Sequence, residues 1–365
     1  MTNETYQSSL VKENILSQET TKAFKDSTLT HETSNETQRK ISFPEVVDST
    51  ILGAFTDCPL KAFREYCLKL GSPTPSIHLH AGGAFARALE VTRRGRWEQG
   101  LTFEESLEQA FKEFVKYWGE FDAPDFGSGA NKTFERMWQA VECYFEEYPL
   151  DSDPIRPFIF DDGRTGIEFT FGIPLPVDHP DTGNPIIYGG RTDLLGYYRD
   201  MPAVIDEKTT SSLGSSWADK WKLRGQFIGY VWAAQQSGIP VNNALVRGIS
   251  ILKTKFGHIE VPLTYSKHLI KRWYLHMLRK VASFVAYYEV YKEEINSGYD
   301  VVLPEDIWPM AFNDACTAYG GCMFTDLCLS PNPEQWYGDF PERVWNPLEK
   351  NPNEFKIEQK QEEQI

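Results

Sequence analysis

The stretch GGRTDLLGYYRDMPAVIDEKTT, residues 189–210, decides the fold. Its apolar runs predict two strands that are joined by a turn near position 200. Asp193 lies in the first strand, and Asp206, Glu207 and Lys208 come at the end of the second. Charged side chains at the end of a buried strand are costly to desolvate unless a partner compensates them. A divalent cation is one such partner, so the stretch predicts a metal site.

The alternation of side chains along a strand places Asp206 and Lys208 on one face and Glu207 on the other. Because paired strand ends lie side by side, we expect Asp193 and Asp206 to meet at one place. Two carboxylates and a few waters are ligands that Mg²⁺ or Mn²⁺ takes, and such a metal can activate water and stabilise charge at a phosphate. Lys208 would orient that water or stabilise the transition state. A surface hairpin with solvated charges is the alternative at this point.

The residue pattern of the 365-residue chain changes along its length. Residues 1–42 are polar and are predicted to be disordered. Residues 43–150 contain amphipathic helical patterns, and the following region alternates strands with helices. We therefore expect an α/β fold with a mixed central sheet flanked by helices, plus an N-terminal helical layer. Residues 43–345 are predicted to form a single domain with a Cys-rich segment at 312–330, followed by a charged tail at 346–365.

The net charge and the apolar content limit the kinds of partner that the chain can bind. A formal charge of -15 argues against broad electrostatic coating of nucleic acid, although it leaves room for a nucleic-acid enzyme whose basic residues line one groove. No apolar run reaches the roughly 18 residues of a membrane span. The N-terminus has no apolar signal-peptide core, so we expect no membrane partner and a cytoplasmic location.

The helix after the second strand narrows the range of possible functions. Gln226 and Tyr230 are four residues apart on it and so face the same way. With this helix, the residues resemble the PD-(D/E)xK nuclease superfamily in its RecB-like branch, which includes the exonucleases of CRISPR adaptation. The signature of that branch is G-x-x-D, then D-x-K-T on a strand, then Q-x-x-x-Y on the next helix. In this chain the three parts are Gly190 to Asp193, Asp206 to Thr209 and Gln226 to Tyr230.

The resemblance implies a restriction-endonuclease-like core and metal-dependent DNA cleavage, as an exonuclease, in recombination, repair or defence in a bacterial or phage-infected cell. It implies Asp193 and Asp206 as metal ligands, Lys208 beside the scissile phosphate, and Gln226 and Tyr230 in contact with DNA or organising the site. The sequence has no phosphate-binding Gly-x-x-x-x-Gly-Lys-Ser/Thr motif, so a helicase or recombination motor would be a separate partner. A catalytically weak module that binds DNA or a partner, and a hydrolase of small phosphoesters, are the alternatives.

Further acidic residues are candidates for the metal. Glu90 lies on the first long helix, and Glu168 lies on the strand before the hairpin. Glu207 is a ligand, faces outward, or supports the ligands from behind them. Many members of the family carry a metal-contacting His on the first helix at the place where this chain has Ala86. This departure would weaken metal binding or lower the number of metal ions.

Several side chains are candidates for contact with DNA. Trp217 and Trp221 could stack on bases of a single strand, although core packing is the alternative for aromatic residues on helices. Arg224 would supply charge for the backbone. Arg87 and Arg93 are candidates for phosphate contact, and for Arg93 a solvated helix face is the favoured interpretation.

Clustered cysteines indicate a second metal site. In a reducing compartment, three cysteines close together suggest metal binding rather than disulfides. The family resemblance implies a 4Fe–4S cluster held by one early cysteine and three late ones, and their spacing here departs from the family's shorter first interval. Zn²⁺ and unliganded buried cysteines are the alternatives, and Cys67 and Cys143 are predicted to be ordinary core residues. The four candidate ligands are Cys58, Cys316, Cys322 and Cys328.

Overall fold

The computed structural model describes residues 40–74, 76–121, 127, 129–297, 303–318, 321–343 and 345–348. The predicted disordered segment therefore lies almost entirely outside the described residues, as does most of the predicted charged tail. Within the described part of the chain, no helix has the length and apolar character needed to cross a membrane.

The chain divides into two compact units. We call them the cysteine unit (Met1–Pro73, Gly172–Gly189 and Leu275–Ile365) and the hairpin unit (Thr74–Phe171 and Gly190–Tyr274).

The helices and strands follow one another in this order. The strands are β1 (Val46–Val47), β2 (Ile155–Pro157), β3 (Ile167–Asp178), β4 (Pro185–Tyr198), β5 (Met201–Thr210), β6 (Asn243–Ile251) and β7 (Phe256–Thr264). The α-helices are α1 (Ser49–Asp57), α2 (Pro59–Ala62), α3 (Ile77–Glu98), α4 (Phe103–Trp118), α5 (Phe134–Glu147), α6 (Ser215–Asp219), α7 (Gly225–Gln236), α8 (Lys267–Asn296), α9 (Pro304–Ile307) and α10 (Thr325–Leu329). A π-helical turn (Phe63–Cys67) follows α2, and two 3₁₀ turns (Asp314–Cys316 and Pro333–Asp339) flank α10.

The strands form one seven-stranded mixed sheet. β4 and β5 are an antiparallel hairpin in which Leu194 pairs with Ile205. β5 and β6 run parallel, with Ala203 opposite Asn243, and β6 and β7 are again antiparallel. A parallel pair needs a crossover connection, which α6 and α7 supply here. A mixed sheet flanked by helices confirms the predicted α/β, restriction-endonuclease-like fold class.

In the hairpin unit, helices α3, α4 and α5 supply the helical layer. Their apolar residues recur every three or four positions and pack into one cluster with the end of β6, which includes Phe85, Phe114 and Ile249. Helix α4 begins with the capping box that the Thr-x-x-Glu pattern predicts, since Thr102 and Glu105 satisfy each other's backbone N–H groups. This layer lies on the sheet that carries Asp206.

In the cysteine unit, aromatic rings make much of the core. The ring of Phe43 lies 4.8 Å from that of Phe284, and Phe63 stacks on the fully buried Trp308 at 4.7 Å. Asp48 caps α1 by accepting hydrogen bonds from the first-turn backbone. These contacts join the N-terminal helices to the later part of the same unit.

Candidate active site

The β4–β5 hairpin brings Asp193 and Asp206 together. Each lies next to the Leu194–Ile205 pair, on opposite strands. The backbone N–H of Glu207 donates to Oδ2 of Asp193 at 2.8 Å. This cross-strand bond orients the Asp193 carboxylate, so the geometry depends on the register of the hairpin.

Lys208 lies on the same strand face as Asp206, and its ammonium forms an ion pair with Oδ1 of Asp206. Asp206 is only 2% exposed. Burial, together with the neighbouring charge of Asp193, raises the pKa of Asp206 to about 7. Burial alone would lower the pKa of Lys208, but the attraction of Asp206 and Asp193 outweighs it and raises that pKa. Lys208 is therefore a cation at neutral pH.

Glu168 adds a third carboxylate. It forms an ion pair with Arg191 at 2.6 Å. Burial and the charge of Asp193 raise the pKa of Glu168 to about 7. The backbone of Glu168 has a φ of 53°, in the left-handed region that non-glycine residues rarely adopt. Such strained residues are enriched at functional sites, because the surrounding structure must hold them there.

These carboxylates fit a divalent cation by their chemistry. Three acidic side chains close together repel one another, as the raised pKa values of Asp206 and Glu168 show. Among the described residues, no group of three or more His, Cys, Asp or Glu side chains is arranged to hold a metal ion. Mg²⁺, however, is commonly bound through one or two carboxylates and several waters. The pair of Asp193 and Asp206 meets that requirement.

Glu207 does not face outward. It is buried, and its carboxylate accepts hydrogen bonds from Arg93 Nη1 at 3.2 Å and from the Tyr144 hydroxyl at 2.9 Å. Burial raises the pKa of Glu207, but the charges of Arg93 and Arg247 outweigh this and lower it. The expectation of an outward-facing Glu207 is therefore wrong, because helix α3 supplies a cation to the buried face of β5.

Arg93 is likewise not on a solvated helix face, which corrects that expectation. It is buried, and it donates to Glu207 and, at 3.1 Å, to the Tyr144 hydroxyl. Arg247 of β6 continues this network, since it donates to Tyr144 at 3.2 Å and forms an ion pair with Asp153 at 2.6 Å. Tyr144 and Arg247 were missed by the sequence analysis. The detectable signal was a single arginine inside the apolar run ALVRGISI.

Glu90 is buried in ion pairs on its own helix. Arg87 lies 3.0 Å from one carboxylate oxygen and Arg94 lies 2.8 Å from the other. Arg94 also donates to the carbonyl oxygen of Ile167 at 3.0 Å, beside Glu168. Glu90 is thus linked to the carboxylate cluster through Arg94, and Arg87, a candidate for phosphate contact, is paired with Glu90 and Glu113.

Gln226 and Tyr230 share one face of α7. The Gln226 side-chain amide donates to the Tyr230 hydroxyl at 2.8 Å. Tyr230 is buried and its ring lies 5.9 Å from that of Phe171. Tyr230 therefore holds the Gln226 side chain in a defined orientation.

The candidate DNA-contacting residues before α7 differ in exposure. Trp221 is 8% exposed, and its ring packs against Trp217 at 5.2 Å and Phe227 at 5.5 Å. The structure therefore favours core packing over base stacking for both tryptophans. Arg224, the residue before α7, is exposed.

The four candidate cluster cysteines all belong to the cysteine unit. Burial raises the pKa of Cys322, and the charges of Cys328 and Cys58 act in the same direction. Among the described residues, no three of these thiols are arranged to hold a metal ion. The backbone N–H of Cys322 donates to the carbonyl oxygen of Cys316 at 2.9 Å. The buried Arg64 lies with Nη1 3.1 Å from the Cys328 sulfur. Cys67 is buried and Cys143 is half-buried.

The family model of the PD-(D/E)XK nuclease superfamily matches residues 49–328 of this chain. The match covers well over half of the 365 residues and includes the whole carboxylate cluster. The chain belongs to the PD-(D/E)XK nuclease superfamily.

Individual relatives are distant. No curated protein matches the sequence. Among solved structures, SSO0001 is 11% identical with a TM-score of 0.25, over 76% of this chain and 86% of that one. A phage-related exonuclease from Haemophilus somnus 129PT is 14% identical with a TM-score of 0.27, over 58% of this chain and 95% of that one. Both TM-scores are low, so neither structure bears on the function of this chain.

Proposed function

We propose that the protein is a divalent-metal-dependent DNA nuclease of the RecB-like branch that acts as an exonuclease. The observation that supports this most is the convergence of Asp193 and Asp206 with the charged Lys208 on one hairpin. The superfamily hydrolyses phosphodiester bonds with this set of residue types. The intact Asp, Asp and Lys favour catalysis over a purely structural role.

In this proposal, Asp193 and Asp206 hold Mg²⁺ or Mn²⁺, and Glu168 is the nearby third carboxylate. A bound cation would supply charge neutralisation at the phosphate and lower the pKa of a water. Lys208 keeps its proton because of the two aspartates, so it offers a positive charge to the phosphate oxygens as negative charge develops. Gln226, oriented by Tyr230, positions the DNA strand.

The Glu207 side chain lies on the face of β5 opposite to Asp206 and Lys208, so in this proposal it supports the site indirectly. Its ion pair with Arg93 holds the residue whose backbone N–H orients Asp193. Arg93 and Tyr144 are therefore positioning residues in this proposal and do not touch substrate. An unwinding motor or recombination protein would be a separate partner, acting on DNA ends or single strands.

Cleavage of end-labelled DNA tests the proposal. The parent protein, Asp206→Ala and Asp200→Ala are incubated with single- and double-stranded DNA and Mg²⁺ or Mn²⁺, with EDTA as a further control. Asp200 is an exposed carboxylate of the same hairpin that pairs with Arg156, so its variant matches the charge change. We expect mononucleotide release from one end by the parent and Asp200→Ala, and none by Asp206→Ala.

A folded parent protein that binds DNA but never cleaves it would contradict the nuclease proposal. That outcome would favour the binding module, and the departure at Ala86 gives a direct follow-up. Ala86→His would then restore metal-dependent cleavage if the missing His is the cause.

We further propose that Cys58, Cys316, Cys322 and Cys328 hold a 4Fe–4S cluster. It is supported by the membership of all four cysteines in the cysteine unit and by the backbone hydrogen bond from Cys322 to Cys316. Anaerobic purification should give about four irons per chain and a broad absorbance near 400 nm, with both lost in Cys322→Ser and retained in Cys143→Ser. Stoichiometric zinc without that absorbance would replace the iron–sulfur cluster by a zinc site.

A further inference from the structure

A cleft lies between the end of helix α7 and the start of helix α8. Its volume is about 680 Å³, a size that suits one small ligand. Every described residue that lines the cleft belongs to the hairpin unit. The backbone turns sharply here, because Gly238 has a φ of 84° and ends α7 before the chain enters β6.

The cleft is separate from the candidate active site. Gln226 lies in the first turn of α7, whereas Gln235 lines the cleft from the last turn of the same helix. The two residues are about 14 Å apart along the helix axis, at a rise of about 1.5 Å per residue. A ligand in the cleft would therefore not occupy the carboxylate site.

Aromatic rings form part of the cleft lining. The rings of Trp232 and Tyr274 are stacked, with centroids 5.1 Å apart and an angle of 20° between their planes. Trp273 packs beside Trp232 at 5.8 Å. Trp232 is buried, whereas Tyr274 is only half-buried. A half-buried ring that already belongs to a stack gives a planar ligand a surface on which to continue the stack.

Two amide side chains add a donor and an acceptor to the lining. The Gln235 amide nitrogen donates to the carbonyl oxygen of Val241 at 2.7 Å and to Oδ1 of Asn242 at 3.0 Å. These two bonds use both hydrogens of Gln235 and fix the orientation of its amide. Within the described part of the chain, the Gln235 carbonyl oxygen and the Asn242 amide nitrogen have no hydrogen-bond partner. The cleft thus offers an acceptor and a donor from adjacent amides, which suits the edge of a nucleobase.

The cleft also carries positive charge. Lys267 and Lys271 are exposed and lie four residues apart at the start of α8, so they share a face of that helix. Neither lysine forms an ion pair with any residue that the structure describes. None of the described lining residues is acidic. In a chain with a formal charge of -15, this concentration of positive charge favours an anion such as a phosphate.

We propose that this cleft binds one nucleotide unit. The base stacks on Tyr274, and its edge pairs with Gln235 and Asn242. The phosphate lies between Lys267 and Lys271. The stacked rings and the amide pair select a nucleotide over a lone phosphate, since a lone phosphate uses neither. The nucleotide is either part of a DNA strand or a mononucleotide released by cleavage, and both sources rest on the proposed function.

Isothermal titration calorimetry tests the site with full-length protein in EDTA, so that cleavage plays no part. The probes are dAMP, deoxyadenosine and inorganic phosphate. We expect dAMP to bind more tightly than either of its parts. Lys267→Met/Lys271→Met should weaken the binding of dAMP about tenfold and leave that of deoxyadenosine unchanged.

The matched control is Lys112→Met/Lys116→Met, which removes two exposed lysines at the same spacing on α4. It should bind dAMP as the parent does. A parent protein that does not bind dAMP, or that binds phosphate as tightly as dAMP, would overturn the nucleotide site. Loss of dAMP binding in Asp206→Ala would also overturn it, because the nucleotide would then lie in the candidate active site.

Substitutions at Tyr274 test the stacking contact. Tyr274→Ala should weaken the binding of dAMP and of deoxyadenosine alike, about tenfold, because the stacking surface is lost. Tyr274→Phe keeps the ring and should bind both as the parent does. Thermal melting shows whether Tyr274→Ala is folded. If it is not, the double lysine variant still decides, because its two side chains are exposed.

Competition identifies the source of the nucleotide. A short fluorescently labelled oligodeoxyadenylate is bound in EDTA, and dAMP is then added. Displacement of the strand by dAMP, together with weaker strand binding by Lys267→Met/Lys271→Met, assigns the cleft to a nucleotide of the strand. Equal strand binding by both proteins, with dAMP binding still weakened in the variant, assigns it to the released mononucleotide. The dAMP titration needs neither metal nor cleavage, so its outcome is distinguishable from failure of the nuclease proposal.

Discussion

Individual charged side chains in the candidate active site destabilise the folded protein. Asp206 is buried beside Asp193, and its raised pKa of about 7 means that ionising it in the folded protein costs free energy. Lys208 only partly compensates for this cost. A divalent cation would compensate further, which is why such crowding is expected in a metal-dependent enzyme.

Replacing Asp206 should separate stability from metal binding. The folded pKa of Asp206 lies above the unfolded value of about 3.9, so its destabilising effect grows as pH rises and is complete above about pH 7. Asp206→Asn should therefore melt no lower than the parent at pH 8. Mg²⁺ or Mn²⁺ should raise the melting temperature of the parent and of Asp200→Asn, but not that of Asp206→Asn. A metal-induced shift of equal size in Asp206→Asn would rule out Asp206 as a ligand.

The contribution of the buried Arg93–Glu207 pair to the free energy of unfolding should change with pH in the opposite direction. Arg93→Met leaves the Glu207 carboxylate buried without its main cation, and it should lower the free energy of unfolding by about 3–5 kcal/mol at pH 7. The pKa of Glu207 is lowered in the folded protein, so this stabilisation is present above about pH 4.3 and is lost as pH falls through the folded value.

Urea unfolding of the parent and of Arg93→Met between about pH 2.5 and pH 7 measures the difference. Arg96→Met, which removes an exposed arginine paired with Asp151, is the control and should cost less than about 1 kcal/mol. The double variant Arg93→Met/Glu207→Met should recover part of the loss, because it leaves no unpaired buried charge. A difference that does not change with pH would show that packing, and not charge, explains the effect of Arg93.

At the level of secondary structure, helix α7 connects the sheet to Gln226 and Tyr230, the residues proposed to position DNA. Its crossover position between the parallel strands β5 and β6 places its first turn near the carboxyl end of β5, which carries Asp206. Gln226 and Tyr230 lie on one face because they are four residues apart. Only the structure shows that Tyr230 is buried and holds the Gln226 amide.

This arrangement predicts a specific effect of Tyr230→Phe. The ring packing is kept, but the hydroxyl that accepts from Gln226 is removed, at a cost near 1 kcal/mol in stability. KM for DNA should rise several-fold with a smaller change in kcat, because Gln226 loses its orientation. Gln226→Ala should give a similar KM, and the double variant should add little to it. Additive effects would indicate that Tyr230 has a role independent of Gln226.

For the whole molecule, the net charge of -15 limits how the protein binds DNA. A negative protein is repelled by most of the polyanion and binds only where basic groups are concentrated. We therefore expect one protein per DNA end at moderate salt, whatever the length of the duplex. Native gel shifts with duplexes of increasing length, and with closed circles, measure this number. A ladder that grows with duplex length would contradict end-limited binding.

The hairpin, the Gln-x-x-x-Tyr helix and the α/β class could be predicted from the sequence because each depends on local periodicity. Strand alternation puts Asp206 and Lys208 on one face, and a four-residue spacing puts Gln226 and Tyr230 on one face.

The sequence by itself determined the fold class and the order of the motif residues, because periodicity and spacing act within a few neighbouring positions. Only the tertiary structure decided which charges meet. Arg93 and Tyr144 lie on two different helices, 114 and 63 positions from Glu207, and Arg247 of β6 joins them through the Tyr144 hydroxyl. Burial and pairing are set by packing between distant segments, which no local pattern records.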